Sequence, residues 1–551
     1  MKKVISIILA MVLMVTSLST YCMAYEPHSS EFDVNSIVNA DFIKEYGSYV
    51  DDNDKMNSFF KIMSKKNVKL FNETAEKIAK GDIKLDKNIS HNAELTEVFL
   101  KKIYDKDNID YFRKVLKEEL SYYENDEISY LENGQNKELK NEELEIKKSE
   151  IKKYYESLIE DKDGYLKLWY FKCPVLIGMV NTDIMTYLIH TDPESKEIIG
   201  KIEEIEQKTR TGIDLYINKM DLTDVTKQSM KDTLKDIKVK YYGINEDFDS
   251  YFEHINREEL MKDINSDNET FFNNVAPYFY LPKEKYDMAY PLAVSESIYQ
   301  PNAFSFIPGR CIIFYPAMFL CKDVNDSNSD FNLEFLIRFV LSHEFGHFWN
   351  SNYIQKDIES REAAFPNDSE QERKAYREAH PVKEICSEDM QKLEMSAQNI
   401  IDEFNDVRTN LKDDDGKEVK IDGLRVYREA AADNFALNSM VVFAKKESED
   451  LSKIFFTFAR FFWGTYNIQS FIGFGVENTY PPNPYRVNMG LKLCKQNMAV
   501  NEIALDSTHV VTKTTKLESG EMEFWNIENM NVMTKSYDGH GILRYAYQRC
   551  S

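Results

Sequence analysis

Residues 333–350 read LEFLIRFVLSHEFGHFWN, and within them His343-Glu344-Phe345-Gly346-His347 carries the most chemical information in the chain. A helix over this stretch sets the two histidines four residues apart on one face. Imidazoles at that spacing can converge on a single tetrahedral zinc ion, with Glu344 beside them as a base for an attacking water. The apolar flanks, Phe335-Leu336-Ile337 and Phe339-Val340-Leu341 before the pair and Phe348-Trp349 after it, predict that this helix is buried.

A zinc ion in a hydrolytic site takes a third protein ligand and keeps an open position. Glu429-Ala430-Ala431-Ala432-Asp433 supplies an ExxxD pair whose carboxylates share one helical face. Glu429 is the candidate third ligand. Asp433, one turn on, can accept the second N–H of His343 and so fix its tautomer. The three alanines between them suit close helix packing. Asp402 and Glu403, flanked by Ile400-Ile401 and Phe404, are rival ligands.

Bulk properties set the frame for this site. The chain has 551 residues, 43% hydrophobic and 13% aromatic, enough for a large core and against wholesale disorder. A net charge of −24 argues against a nucleic-acid partner, which would need a basic surface. At the N-terminus, Lys2-Lys3, the apolar run Val4–Leu18 and Cys22-Met23-Ala24 predict a secretory signal over residues 1–24. The expected product is secreted, extracellular or held in the cell envelope, with no membrane span after cleavage near Ala24. Export permits disulfides among Cys173, Cys311, Cys321, Cys386, Cys494 and Cys550, but their pairing is not readable.

Between Val34 and Phe272 the pattern is mainly helical, with Met56–Ile78, Glu97–Leu120 and Asn141–Ile159 as the clearest segments. Prolines then crowd the chain at Pro282, Pro291, Pro301, Pro308 and Pro316, and Cys311–Tyr315 reads as a buried strand. Gln355–Arg373 and Leu411–Asp422 read as exposed loops. The expected organisation is a signal (1–24), a helical N-terminal lobe (25–272) and a catalytic lobe (273–551). The expected fold class is mainly α with a small β-sheet (α+β).

Several segments, in order, resemble the neprilysin family of zinc endopeptidases, of the neprilysin and endothelin-converting-enzyme type. Gln300-Pro301-Asn302-Ala303-Phe304, leading into Ile312–Ala317, is similar to the family's edge segment and following strand. The His343–His347 motif follows, then Glu429-Ala430-Ala431-Ala432-Asp433-Asn434 with Ile421-Asp422-Gly423 before it. Phe455–Ala459 with Trp463 comes next, and last Tyr480-Pro481-Pro482-Asn483-Pro484-Tyr485-Arg486-Val487. The likeness is strongest over residues 300–490.

The resemblance implies a two-lobed zincin with a thermolysin-like catalytic lobe, hydrolysing peptide substrates with one catalytic Zn²⁺ held by His343, His347 and Glu429. It implies that Asn302 and Ala303 bind the substrate backbone as an added strand and that Arg486 grips a substrate carbonyl. Tyr480 stands where the family has an oxyanion-steadying histidine, and its hydroxyl can donate the same kind of bond. Arg428 replaces a glycine, and the N-terminal lobe is shorter than the family's cap. A degenerate relative that binds peptides without turnover, or another HExxH lineage, is the alternative reading. His509 and His540 read as structural or surface residues.

Overall fold

The computed structural model describes residues 56–133, 141–160, 165–244, 255–275, 296–321, 331–349, 387–406, 420–462 and 480–498, less a few single positions. It also describes the segments 464–467, 509–516 and 523–531, with a few isolated residues besides. The signal segment with Cys22, the prolines Pro282 and Pro291, most of the loops Gln355–Arg373 and Leu411–Asp422, and Cys386, His540 and Cys550 lie outside the described residues.

The chain is mainly α with small β-sheets, as the sequence predicts. A three-stranded sheet has the order β2 (Lys238–Tyr241), β4 (Cys311–Phe314), β3 (Ala303–Phe306), with β2 parallel and β3 antiparallel to the central strand. All four residues of β4 are buried, which explains its unbroken apolar run. A second sheet joins β1 (Met56–Ser58), β5 (Gly464–Asn467), β7 (Glu523–Asn531) and β6 (His509–Lys516), in that order. His509 opens β6.

Three local departures from the helical reading have physical causes. Met56–Ser58 pair with β5, so the first helix starts at Phe59 and runs to Lys80. The Glu97–Leu120 stretch is two helices, Ala93–Ile103 and Ile109–Asn133. Asp105 makes the break: its side chain accepts from Asp107 N at 2.9 Å, and its carbonyl takes the N–H groups of Asn108 and Ile109. Finally, β2 arises inside the helical half because Val239 and Tyr241 are buried at alternate positions against β4, a tertiary pairing too short to stand out by pattern.

Two buried helices carry the centre of the fold. Leu333–His347, the motif helix, starts at Asn332, whose side chain accepts from Phe335 N at 3.0 Å. Gly423–Glu447, the carboxylate helix, is capped by Asp422, which accepts from Leu424 N and Arg425 N. The two lie side by side with Gly346 against Ala432, a contact close enough that no larger side chain fits without movement. A third helix, Ile202–Lys219 from the N-terminal half, packs on both. Its Gly212 sits where a Cβ would stand 2.9 Å from Ser439 O, so absence of a side chain is what permits the approach.

Aromatic side chains seal the other flank of the motif helix. Phe339 meets Phe458 edge-on at 5.0 Å and Phe462 at 5.9 Å, from the Leu451–Phe461 helix and its end. Burying each such ring is worth about 1.5–3 kcal/mol, so this face holds the helix firmly beside the site. Cys173, Cys311, Cys321 and Cys494 are free thiols, all buried. Among the described residues no helix is long and apolar enough to cross a membrane.

Candidate metal centre

The four-residue spacing on the motif helix brings His343 and His347 together, with their Nε2 atoms 3.1 Å apart. From the carboxylate helix, Glu429 reaches across: Oε2 lies 3.3 Å from His343 Nε2, and Oε1 lies 3.6 Å from His347 Nε2. Around a tetrahedral ion with bonds of about 2.0–2.1 Å, donor atoms stand about 3.3–3.4 Å from one another. The measured separations bracket that value. Glu429 Oε2 is also buried without a hydrogen-bond partner, an oxygen left available for an ion. The two-imidazole, one-carboxylate set therefore fits zinc in both chemistry and spacing.

Behind these donors lies a compact charge network. Asp433 Oδ1 is 2.9 Å from His343 Nδ1, on the side of the ring away from Glu429. The same carboxylate receives Arg486 through two bonds, Nε to Oδ2 at 2.6 Å and Nη2 to Oδ1 at 3.0 Å. Arg486 Nη2 also lies 3.5 Å from Glu429 Oε2. Its guanidinium stacks over the Phe462 ring at 4.0 Å and stands 5.3 Å from the Tyr480 ring. Arg486 is thus buried and its paired N–H face is taken by Asp433, while Tyr480 keeps 44% of its surface exposed.

Burial and charge compete at every titratable group here. At His343, burial disfavours the cation, but Asp433 and Glu429 outweigh it and raise the imidazole to about 10. Burial instead prevails at His347, and with the charge on His343 it lowers that ring to about 4. Glu344 is pushed up to about 7 by burial, against the pull of His343 and Ser305. Glu429 and Asp433 resist burial and sit below the usual carboxylate range, Glu429 through His343, His347 and Arg486, Asp433 through Arg486 and His343. Tyr480 rises to about 12 through burial and the Glu429 charge, so its hydroxyl keeps its proton.

The remaining candidates fall into place around this centre or away from it. Asn302 precedes β3 and Ala303 opens it; β3 is one of the two edge strands of its sheet among the described residues and lies against the motif helix. Tyr315 N bonds to Asn302 O, so by antiparallel alternation the main-chain groups of Ala303 and Ser305 point away from β4. The rival acids are engaged elsewhere: Glu403 pairs with Lys492, and Asp402 accepts from Gln398. Motif reasoning missed two residues. Ser305 bonds Glu344, and Phe462 carries the Arg486 guanidinium.

No protein-family model matches the chain, and no curated protein matches it. Among solved structures it is similar to the zinc metalloprotease Zmp1 of Mycobacterium tuberculosis in complex with an inhibitor, at 13% identity and a TM-score of 0.36. Zmp1 in its open state gives 13% and 0.41, and PepO from Lactobacillus rhamnosis HN001 gives 14% and 0.36. Each match covers 64% of this chain but only 57%, 53% and 52% of those chains, so the likeness spans little more than half of their length.

Proposed function

We propose that the chain is an exported zinc metallopeptidase that hydrolyses peptide bonds, with His343, His347 and Glu429 as the metal ligands. One observation carries this reading: three donor side chains from two helices stand at the mutual distances of a zinc shell, with a buried glutamate next to one of them. When bound there, zinc supplies Lewis acidity that polarises a scissile carbonyl and brings the pKa of a water toward about 7.

The protein's own groups provide the rest. Glu344, buried beside the donors, is read as the group that takes a proton from water and returns it to a leaving amine. Asp433 orients His343, and Arg486 holds Asp433 and Glu429 ionised in a buried setting. Any bond from Arg486 to a substrate carbonyl must use N–H groups that Asp433 does not occupy. Tyr480 keeps its proton and is partly exposed, which supports reading it as the donor to a developing oxyanion. The outward main chain of Ala303 and Ser305 gives an extended peptide a strand to pair with. Export is proposed from the signal pattern expected over residues 1–24.

The test is zinc content together with cleavage of a peptide library. The expected protein holds one zinc ion at this centre and cuts peptides, while Glu344→Gln retains the ion and loses about 10²–10⁴-fold in turnover. A wild-type chain that holds zinc yet cuts nothing refutes the hydrolase reading and leaves a peptide-binding role.

A further inference from the structure

Ser305 lies in the middle of β3, and no motif marks it. Its Oγ stands 2.6 Å from the main-chain oxygen of Glu344 and 2.8 Å from Glu344 Oε2. The first contact answers a need of the helix. In a continued α-helix Phe348 N–H would reach the Glu344 carbonyl, but it turns to Phe345 O instead, and Trp349 N–H goes to Gly346 O. The Glu344 carbonyl is therefore left to a side chain, as last-turn carbonyls commonly are.

The second contact reaches the chemistry. We propose that Ser305 is a positioning residue for Glu344, its hydroxyl clamping the backbone and the carboxylate of that one residue to β3. This rests on the hydrolase reading above. The hydroxyl has one proton and can serve either form of its partner. With the carboxylate ionised, Ser305 donates to Oε2. After Glu344 has taken a proton, the carboxyl donates to Oγ, and the serine proton turns to the Glu344 carbonyl. Because the main chain of Ser305 faces the side of β3 that no strand among the described residues covers, a peptide pairing with that edge and the base that acts on it are seated by the same residue.

The experiment compares wild type, Ser305→Ala and Ser305→Thr by zinc content, thermal melting, kcat and KM, and crystal structures of each. Losing a hydrogen bond to a charged group predicts that Ser305→Ala loses roughly 10- to 100-fold in kcat with KM held within about two-fold, and that Thr restores most of it. Zinc content stays at the wild-type value, and the melting temperature of Ser305→Ala falls by no more than the few degrees that one unsatisfied carbonyl accounts for. An unchanged kcat, or parallel loss of zinc, melting temperature and turnover without rescue by Thr, overturns the proposal. If wild type itself cuts no peptide, the hydrolase reading fails separately, and the crystal structures still decide: a Glu344 carboxylate displaced in Ser305→Ala supports the clamp, and one that has not moved refutes it.

Discussion

Gly346→Ala puts the spacing of the two ligand-bearing helices to a direct test. A Cβ at this position would stand 3.1 Å from Ala432 Cα, 3.4 Å from Ala432 O and 3.4 Å from Phe435 Cβ. None of these atoms can rotate away. Ordinary carbon contacts lie at about 3.5–4.0 Å, so the helices must part by roughly half an ångström. Alanine gains about 1 kcal/mol over glycine in helix propensity, while overpacking costs about 1–3 kcal/mol. The fold should thus lose up to about 2 kcal/mol. The metal site should suffer more, because Glu429 and the two histidines sit on opposite sides of the contact and ligand distances tolerate only about 0.2 Å. Zinc affinity is expected to fall about 10- to 100-fold, comparable to losing an outer-sphere partner. Competition against a chelator of known affinity measures this, with urea denaturation in EDTA for the fold. Gly200→Ala, where nothing lies within 4 Å, controls for propensity alone. Wild-type zinc affinity in Gly346→Ala would mean that the helix contact does not set the ligand geometry.

Three further expectations concern the charge network. Arg486→Met leaves Asp433 and Glu429 buried without their cation and should cost about 3–5 kcal/mol in urea denaturation at neutral pH; a loss under 1 kcal/mol, on the order of an exposed pair, would contradict the network drawn here. In the metal-free protein His343, raised from 6.5 to about 10, contributes stability that is full below 6.5 and disappears as pH rises through about 10. His347, lowered to about 4, works the other way, its contribution present above 6.5 and lost as pH falls toward 4. Metal-free stability should therefore peak near neutral pH and fall on both sides. Since ligation requires neutral imidazole, zinc binding at pH 7 should release about one proton, read by calorimetry in two buffers of different ionisation enthalpy; no release would show that His343 is neutral beforehand.

Much of the fold class was legible because helical periodicity is a local signal, and the buried run of β4 stands between glycine and proline. The motif spacing and the ExxxD pair each name one helical face, so the facing of His343, His347, Glu429 and Asp433 could be read from two short segments. What could not be read depends on third parties. β2 is a strand only because β4 lies beside it, and Gly212 shows its purpose only once Ser439 is opposite. Ser305 is one hydroxyl in a strand of ordinary composition, and its partner lies 39 residues away. The motif around Arg486 points to a substrate anchor, while its pairing with Asp433 spans 53 residues and leaves no trace in local pattern.

The cluster behind the donors is self-neutralising. A proton on His343 together with the Arg486 guanidinium offsets the Asp433 and Glu429 carboxylates, so these four buried groups balance one another before any ion arrives. Small zinc domains fold only when the metal gathers their ligands. On the proposed function, such a centre would let folding and metal loading be separate events, with the core completed first and a proton exchanged for the ion afterwards.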